Sequence, residues 1–249
     1  MYRFLSRLLP SQCLVCHGWA RAQVCEECVA QFNPAQTRCS RCARTLPLAL
    51  GTDSDSARQC GQCLRQPPTL HACAAAVDYA YPWDSLIARF KFTQLSRRGS
   101  WGEPGLARSM AAIMAQNPRI RQLLGASDAI TPIPLSPERQ SERGFNQSLE
   151  LLKNLRLECP TPLRPLHSGV LLRARHTPPQ VGLSQPERMR NMHHAFVCDP
   201  LLHAHVAGRT LLLIDDVATT TSTLNAAAAA LLSAGAAQVS AVVFARTPG

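Results

Sequence analysis

Apolar and polar positions divide the chain into two unlike parts. After residue 70, short apolar runs alternate with stretches of helical composition, and the clearest run, residues 210–214, precedes an acidic pair and a hydroxyl-rich loop. These runs show little alternation between apolar and polar residues, which is typical of strands covered on both faces. Strands that alternate with helices favour a parallel sheet with helices on both sides. The sequence therefore predicts an α/β fold for this part.

The predicted elements follow one another closely from residue 72 onward. With 46% hydrophobic residues, the chain can bury a sizeable core. Strands are predicted at residues 72–79, 128–135, 170–172, 210–214 and 239–245, the second of them running into a loop. Helices are predicted at residues 84–92, 105–115, 146–155 and 224–237, the last being alanine-rich.

Cysteine pairs dominate the chain before residue 69. Eight of the eleven cysteines form four Cys-x-x-Cys pairs, and large apolar residues are few there. Such a pair places two sulfurs on one side of a tight turn, which suits two corners of a tetrahedron about 2.3 Å from a zinc ion. Two pairs complete one closed site, so the sequence predicts two structural zinc ions. The candidate ligands are Cys13, Cys16, Cys25, Cys28, Cys39, Cys42, Cys60 and Cys63.

The spacing leaves the pairing of these motifs open. Pairing neighbours gives two ribbons in series, at residues 13–28 and 39–63, and an interleaved order is the alternative. Disulfides are rare in the cytosol, and a redox-active pair occurs once rather than four times in a row. Because two prolines follow Gln66, we expect a double zinc ribbon at residues 1–68 and the α/β domain at 69–249.

The charge of the chain favours anionic partners. The formal net charge is +10. Two zinc ions held by eight thiolates would lower it by about four charges, so the protein would stay basic and suited to phosphorylated metabolites or nucleic acids. No apolar run approaches the roughly 20 residues of a membrane helix. The basic N-terminus also lacks the apolar segment of a secretory signal, so we expect a cytoplasmic protein without membrane insertion.

The residues after the clearest predicted strand have the composition of a phosphate site. Asp215 and Asp216 come at its carboxyl end, where open α/β sheets bind ligands. A helix N-terminus offers free N–H groups and partial positive charge, which together with hydroxyl donors suit a phosphate monoester. A simple helix cap would need only one hydroxyl. We predict that Thr219, Thr220, Thr221, Ser222 and Thr223 bind phosphate, while the two aspartates hold a ribose or a cation beside it.

Residues 211–224 resemble the segment that binds phosphoribosyl pyrophosphate (PRPP) in type I phosphoribosyltransferases. One position departs, because the glycine usually found in the middle of that loop is Thr221 here. Residues 132–147, which include Pro-Ile-Pro-Leu, Arg139 and Arg-Gly-Phe-Asn-Gln, resemble the most distinctive motif of the ComF family (the ComFC/GntX group). Residues 173–196 follow a second motif of that family, and cysteine pairs ahead of such a domain are also typical of it. The resemblance covers nearly the whole chain.

This resemblance implies a parallel-sheet type I phosphoribosyltransferase fold that binds PRPP or ribose 5-phosphate with Mg²⁺. Asp215 and Asp216 would serve catalysis together with Arg139 and Arg143. We expect the two arginines in a loop that leads into the helix at residue 146, where their guanidinium groups can bind pyrophosphate. By the same resemblance, residues 173–190 would form a mobile flap over the ligand.

The resemblance also bears on partners. ComF relatives are linked to natural competence and to the use of external DNA, which implies single-stranded DNA and DNA-uptake proteins as partners. Three functions are therefore open: a phosphoribosyltransferase enzyme, a non-catalytic factor that binds single-stranded nucleic acid, and a PRPP sensor. Trp19, Trp83 and Trp101 are candidates for stacking on bases.

Overall fold

The computed structural model describes five stretches of the chain, and all four cysteine pairs lie within them. These stretches are residues 11–47, 58–92, 102–159, 168–173 and 195–248. None of the helices in them combines the length and the apolar character needed to cross a membrane.

The N-terminal part contains little regular structure. A short hairpin of β1 (Ser11–Gln12) and β2 (Trp19–Ala20) precedes helix α1 (Glu26–Phe32), and helix α2 (Gly61–Arg65) lies near the end of this part. Each of the two helices begins directly after a cysteine whose sulfur accepts a hydrogen bond from the backbone N–H three residues later. The cysteine sulfurs thus replace the hydroxyl or carboxylate oxygen of an ordinary helix cap.

A four-stranded parallel sheet forms the centre of the fold. Its strands lie in the order β3-β8-β7-β4, whereas β5 and β6 form a separate antiparallel pair. The bounds of the strands are β3 (Cys73–Asp78), β4 (Ala129–Pro132), β5 (Leu171–Arg173), β6 (Phe196–Cys198), β7 (Thr210–Ala218) and β8 (Gln238–Arg246).

Side chains on the two central strands alternate between two apolar cores. On β7, Leu212 and Ile214 face one core, and Leu211 and Leu213 face the other. This alternation follows from the two-residue period of a strand. Because helices or strands cover both faces of the sheet, both sets of side chains are buried, and the strand sequence is apolar throughout.

Helices cover the sheet unequally. The core that contains Leu212 is built with α3, α4, α5 and α7, while the core that contains Leu211 is built with α8 and the small β5–β6 pair. The helices are α3 (Trp83–Lys91), α4 (Leu106–Gln116), α5 (Pro118–Ala126), α6 (Pro137–Arg143), α7 (Gln147–Glu158) and α8 (Ser222–Ser233), with a 3₁₀ helix at Pro200–His205.

Most of the predicted elements are confirmed, with small shifts at their ends. The strand predicted at residues 210–214 continues to Ala218, so both aspartates lie within it. Helix α5 and strand β6 were not predicted. Helix α6 occupies residues that were expected to form a loop.

The two cysteine-rich halves pack on different parts of the α/β body. Cys13, Val24 and Cys28 join the core beneath α3 and α4, and the indole N–H of Trp83 donates to the carbonyl oxygen of Phe32 at 3.0 Å. The second half contacts the other face, where the N–H of Cys73 donates to Ser40 at 2.9 Å. The expected division at residues 68 and 69 stays a prediction, since both halves share apolar cores with the body.

Candidate functional site

The eight paired cysteines form two groups of four. Cys13, Cys16, Cys25 and Cys28 make the first, Cys39, Cys42, Cys60 and Cys63 make the second, and the sulfurs within each group lie within 4.8 Å of one another. Sulfur–sulfur distances of 3.7 Å (Cys16–Cys25, Cys42–Cys60) and 3.9 Å (Cys13–Cys28) match the edge of about 3.8 Å in a tetrahedron with Zn–S bonds of about 2.3 Å. Pairing of neighbouring motifs is confirmed, and the interleaved alternative is wrong.

The chemistry of the two groups fits structural zinc. Sulfurs at these distances are not disulfides, whose S–S bond is about 2.05 Å long. Backbone N–H groups donate to several of the sulfurs, as at Cys39, which accepts from the N–H of Cys60 at 3.3 Å. Such bonds stabilise thiolates, which are the form that binds zinc. Seven of the eight cysteines are buried or half-buried, and Cys16 is exposed.

The acidic pair lies at the carboxyl end of β7. The Asp215 carboxylate accepts hydrogen bonds from the Ser148 hydroxyl and from the N–H of Asp216, both at 2.9 Å. Burial and, secondarily, the negative charge of Asp216 raise the pKa of Asp215 to about 7. Asp216 is buried and forms an ion pair with Lys91 at 2.9 Å. The pair therefore contains one carboxylate that has a countercharge and one whose proton is held more tightly than that of an exposed aspartate.

A hydroxyl-lined niche adjoins Asp215. Helix α8 begins at Ser222, two residues before its predicted start, and the N–H groups of its first turn have no partner within the helix. A small cavity of about 20 Å³ is lined by Asp215, by the loop and by the start of α8. This volume is close to that needed for one water molecule or one phosphate oxygen. Of the five predicted hydroxyl residues, Thr219, Thr221, Ser222 and Thr223 line the cavity, and Thr220 bonds to the Ser222 hydroxyl at 2.7 Å instead.

Thr221 adopts the backbone conformation expected of the glycine that it replaces. Its φ of 61° and ψ of 5° lie in the left-handed region, which costs a non-glycine residue about 1–2 kcal/mol. The Asn225 amide donates to the carbonyl oxygen of Thr221 at 3.0 Å and to its hydroxyl at 3.2 Å. The Thr221 hydroxyl also donates to the carbonyl oxygen of Thr220 at 2.6 Å. These bonds offset the strain, so the departure from glycine leaves the loop conformation intact.

The two predicted arginines lie on a short helix rather than in a loop. Ser136 caps α6 and Pro137 occupies its first turn, while Gly144, with a φ of 74°, ends it. These are ordinary start and stop signals of a helix, and they outweigh the resemblance-based expectation of a loop. Arg139 is exposed and Arg143 half-buried.

Arg143 lies close enough to the acidic pair for their charges to act on one another. Its guanidinium lies 5.2 Å from the centre of the Phe92 ring and donates to the Gln147 side chain at 2.9 Å. Burial lowers the pKa of Arg143, and the charges of Asp216 and Asp215 partly compensate. Its Nε atom is buried without a hydrogen-bond partner among the described residues. A buried N–H donor of this kind is available to an anionic ligand.

Arg173, on β5, also lies near the acidic pair. Its guanidinium lies 5.4 Å from the centre of the Phe196 ring. Burial lowers its pKa, the charge of Arg139 adds to the effect and the charge of Asp215 opposes it. The rest of the predicted flap, residues 174–190, falls outside the described residues. Of the tryptophans, Trp83 is buried, Trp19 is 74% exposed and Trp101 lies outside the described part.

A larger cavity of about 640 Å³ lies along the edge strand β3, away from this site. Arg38, Ser40, Ala75 and Asn117 are among the residues that line it, and it includes none of the predicted site residues apart from the zinc-group Cys39.

Comparison with known proteins identifies the family. A model described as double zinc ribbon domain matches residues 4–64, and one described as phosphoribosyl transferase domain matches residues 169–249. Competence protein F of Haemophilus influenzae is 30% identical over 188 residues, 74% of this chain and 75% of that protein. DNA utilization protein YhgH of Escherichia coli K12 is 32% identical over 214 residues, 83% of this chain and 84% of that protein. The chain belongs to the ComF family.

Membership of the ComF family agrees with the predicted fold class. The parallel sheet with helices on both faces, preceded by two four-cysteine groups, is a phosphoribosyltransferase-type domain with a double zinc ribbon. Among solved structures, the allosteric regulatory enzyme of purine biosynthesis matches 63% of this chain and 29% of its own, with 16% identity and a TM-score of 0.38. That likeness is too low to inform the function of this ComF family member.

Several residues around the site of this ComF protein were not predicted. Lys91 pairs with Asp216, Ser148 donates to Asp215, and Asn225 supports Thr221. Ser148 directly follows the Arg-Gly-Phe-Asn-Gln motif, which is a signal that could have directed attention to it. Lys91 in the last turn of a helix and Asn225 within a helix have no such signal.

Proposed function

We propose that this ComF family protein binds PRPP or ribose 5-phosphate, together with Mg²⁺, beside the start of α8. The observation that carries the proposal is the niche in which Asp215 and the hydroxyl residues of the loop line the same small cavity. A phosphate monoester there would accept hydrogen bonds from the free N–H groups of α8 and from the hydroxyls of Ser222 and Thr223. The ribose of the same ligand would then lie towards the acidic pair.

The acidic pair fits Mg²⁺, which prefers oxygen ligands. Asp216 already has a countercharge in Lys91, whereas Asp215 has no ion-pair partner among the described residues and carries a raised pKa. Asp215 therefore gains most from a bound cation, directly or through its water shell. When bound, Mg²⁺ would supply positive charge to the pyrophosphate group of PRPP.

Arg143 and Arg139 are the proposed pyrophosphate ligands. The Nε atom of Arg143 is buried without a partner among the described residues, and Arg139, one helical turn earlier, has an exposed side chain. The charges of the acidic pair act on Arg143, that of Asp215 acts on Arg173, and the charge of Arg139 acts on both arginines. Turnover would be a displacement at the anomeric carbon, in which the departing pyrophosphate is stabilised by these guanidinium groups. Binding without turnover would instead make the protein a PRPP sensor.

The names of the relatives extend the proposal to DNA. Competence protein F is named for competence, and DNA utilization protein YhgH is named for the use of DNA. We therefore propose that this chain acts in the uptake or utilisation of external DNA, with DNA-uptake proteins as partners.

Titration calorimetry with PRPP tests the ligand assignment. Zinc-loaded full-length protein is expected to bind PRPP in the presence of Mg²⁺ with a Kd between about 1 µM and 1 mM, the usual range of KM values. Ribose 5-phosphate should bind more weakly because it cannot reach Arg143 through a pyrophosphate. Absence of PRPP binding at millimolar concentration by folded, zinc-loaded protein would contradict the proposal.

A second candidate function, binding of single-stranded nucleic acid, is favoured by Trp19. This side chain is 74% exposed on the hairpin of the first ribbon, and its neighbours His17 and Arg21 are exposed as well. An exposed aromatic ring beside basic groups suits a nucleic-acid base, and base–aromatic stacking contributes about 1–3 kcal/mol per base. The overall basic charge would add attraction for phosphates.

Replacing Trp19 by alanine tests this candidate. Affinity for a single-stranded oligonucleotide at low salt is expected to fall roughly 10-fold or more, as measured by fluorescence anisotropy. Leu201→Ala is the matched control, because Leu201 is 90% exposed but lies on the 3₁₀ helix far along the chain and has no aromatic ring. Equal affinities of the Trp19 variant and the wild type would eliminate the role of this residue.

A further inference from the structure

Arg246 connects two parts of the molecule that are far apart in sequence. It lies at the end of β8 and is 3% exposed. Its Nε atom donates to the carbonyl oxygen of Cys42 at 2.9 Å. Its Nη1 atom donates to the carbonyl oxygens of Ala218 at 3.1 Å and Thr247 at 2.9 Å, and also to that of Thr219. One guanidinium group therefore bonds to four backbone carbonyls.

These carbonyls belong to two separate candidate sites. Cys42 is a member of the second cysteine group. Ala218 ends β7, and Thr219 begins the hydroxyl loop of the proposed ligand site. The N–H of Thr247 also donates to Ala218 at 3.0 Å, so the chain on both sides of Arg246 is held against this loop. Movement of the backbone at Cys42 would thus be transmitted to the loop through a single side chain.

Charge gives a second reason to connect the two sites. All four acceptors of Arg246 are neutral, and the described residues offer this buried cation no carboxylate partner. The nearby Asp78 carboxylate is engaged by Arg38 at 2.7 Å. A buried cation without a countercharge is strongly unfavourable. Four thiolates around one zinc ion carry about two net negative charges, so a metal-loaded second group supplies the countercharge.

The charge of Arg246 and the charges of the second cysteine group both act on the thiol of Cys73. Burial raises its pKa to about 12, the positive charge of Arg246 opposes this, and the charges of Cys39 and Cys63 add to it. Arg246 and the second cysteine group are therefore close enough to act on the same sulfur.

Within the part of the chain that the structure describes, the first cysteine group has no comparable connection to the loop. Its segment bonds to the helical side of the body, where the Ser109 hydroxyl donates to the Gln23 side chain at 3.0 Å and the Trp83 indole donates to Phe32. Its buried members contribute to the core beneath α3 and α4. The two groups thus provide a matched comparison within one chain.

We propose that Arg246 is a positioning residue through which metal in the second cysteine group fixes the loop at residues 218–222. The effect of Arg246 on the loop is argued from the contacts described above, whereas the effect of Arg246 on ligand affinity rests on the proposed function. Metal in the first group has no such role.

Hydrogen exchange on the full-length protein tests the connection without any ligand. Arg246→Lys keeps the positive charge but cannot reach all four carbonyls. The amides of Asn225 and Thr247, which donate to the carbonyl oxygens of Thr221 and Ala218 in the loop, are expected to exchange about tenfold faster in this variant. Cys60→Ser should have the same effect, whereas Cys25→Ser should not. The two cysteines are matched, because each caps a short helix within its group. Amides of residues 211–214 on β7 serve as an internal reference for global unfolding.

Zinc content and PRPP affinity separate the possible results. Arg246→Lys should retain two zinc ions per chain, and its PRPP affinity is expected to fall about tenfold, while Cys25→Ser stays within about threefold of the wild type. Equal loop exchange in Cys25→Ser and Cys60→Ser, or unchanged loop exchange in Arg246→Lys, would overturn the inference. If the wild type binds no PRPP while the exchange pattern holds, the proposed function fails and the positioning role of Arg246 stands.

Discussion

Replacing Asp215 by asparagine is expected to weaken Mg²⁺-dependent PRPP binding by roughly 10- to 100-fold at pH 8 while leaving the protein folded. The asparagine keeps the shape of the side chain and one oxygen acceptor for the Ser148 hydroxyl. It removes the negative charge that attracts the cation. Calorimetric titration at saturating Mg²⁺ measures the change in affinity.

The same variant should be more stable than the wild type at high pH. Burial raises the pKa of Asp215 from 3.8 to about 7, and the charge of Asp216 adds to the shift. Because the folded pKa lies above the unfolded one, the carboxyl favours folding fully below pH 3.8 and loses this contribution as the pH rises to about 7. Asparagine does not ionise, so its Tm should exceed that of the wild type by on the order of 2–4 °C at pH 8 and should not do so at pH 4.

Asp128→Asn is the control for both measurements. Asp128 precedes β4 and accepts a hydrogen bond from the N–H of Thr210, at the opposite end of β7 from Asp215. Its replacement should leave PRPP affinity unchanged. An Asp215→Asn protein that binds Mg²⁺ and PRPP as tightly as the wild type at pH 8 would remove this carboxylate from the ligand site.

Removing zinc is expected to lower the Tm of the protein by more than about 10 °C, because a structural zinc ion contributes on the order of 10–16 kcal/mol. The metal-free protein would leave eight thiols in two tight groups, and the four thiols of the second group are buried. The first group also contributes Cys13 and Cys28 to the core beneath α3 and α4, so its metal adds to the stability of the packing there. Metal analysis of purified protein should give two zinc ions per chain, and chelation should make about eight further thiols reactive.

Cys198→Ser is the control for the metal prediction. Cys198 lies on β6, and its thiol donates to the carbonyl oxygen of Asp199 at 3.7 Å, outside both cysteine groups. The zinc content and the Tm of the Cys198→Ser protein should match those of the wild type. A metal-free protein that unfolds cooperatively at the same Tm would show that the ribbons fold without zinc.

Much of the fold was predictable because its strands are apolar throughout and its helices have clear limits. The strand at residues 210–214 and the alanine-rich helix after the loop are examples. Helix α5 was missed even though Asn117 caps it and Pro118 opens it, which is a start signal of the same kind as Ser136 and Pro137 before α6. Both helices were therefore readable from local sequence.

The candidate site was predictable only where its residues lie close together along the chain. Asp215 and the hydroxyl loop fall in one segment, and the structure brings them to one cavity. Lys91 and Arg246 reach the same region from distant elements, and an ordinary helical lysine or a strand arginine carries no sign of its partner. Likewise, spacing alone allowed two pairings of the cysteine motifs, and only the packing of the chain distinguishes them.

The left-handed turn at Thr221 has a consequence for how such loops are recognised. Its geometry is maintained by Asn225, which lies one helical turn beyond the loop and whose side-chain amide oxygen also accepts from the N–H of Leu70. The turn thus depends on a side chain outside the motif. The hydrogen bonds of Asn225 stabilise a backbone conformation that glycine would adopt without such support. A search that requires glycine at this position of the loop would overlook proteins in which an asparagine supports a different residue there.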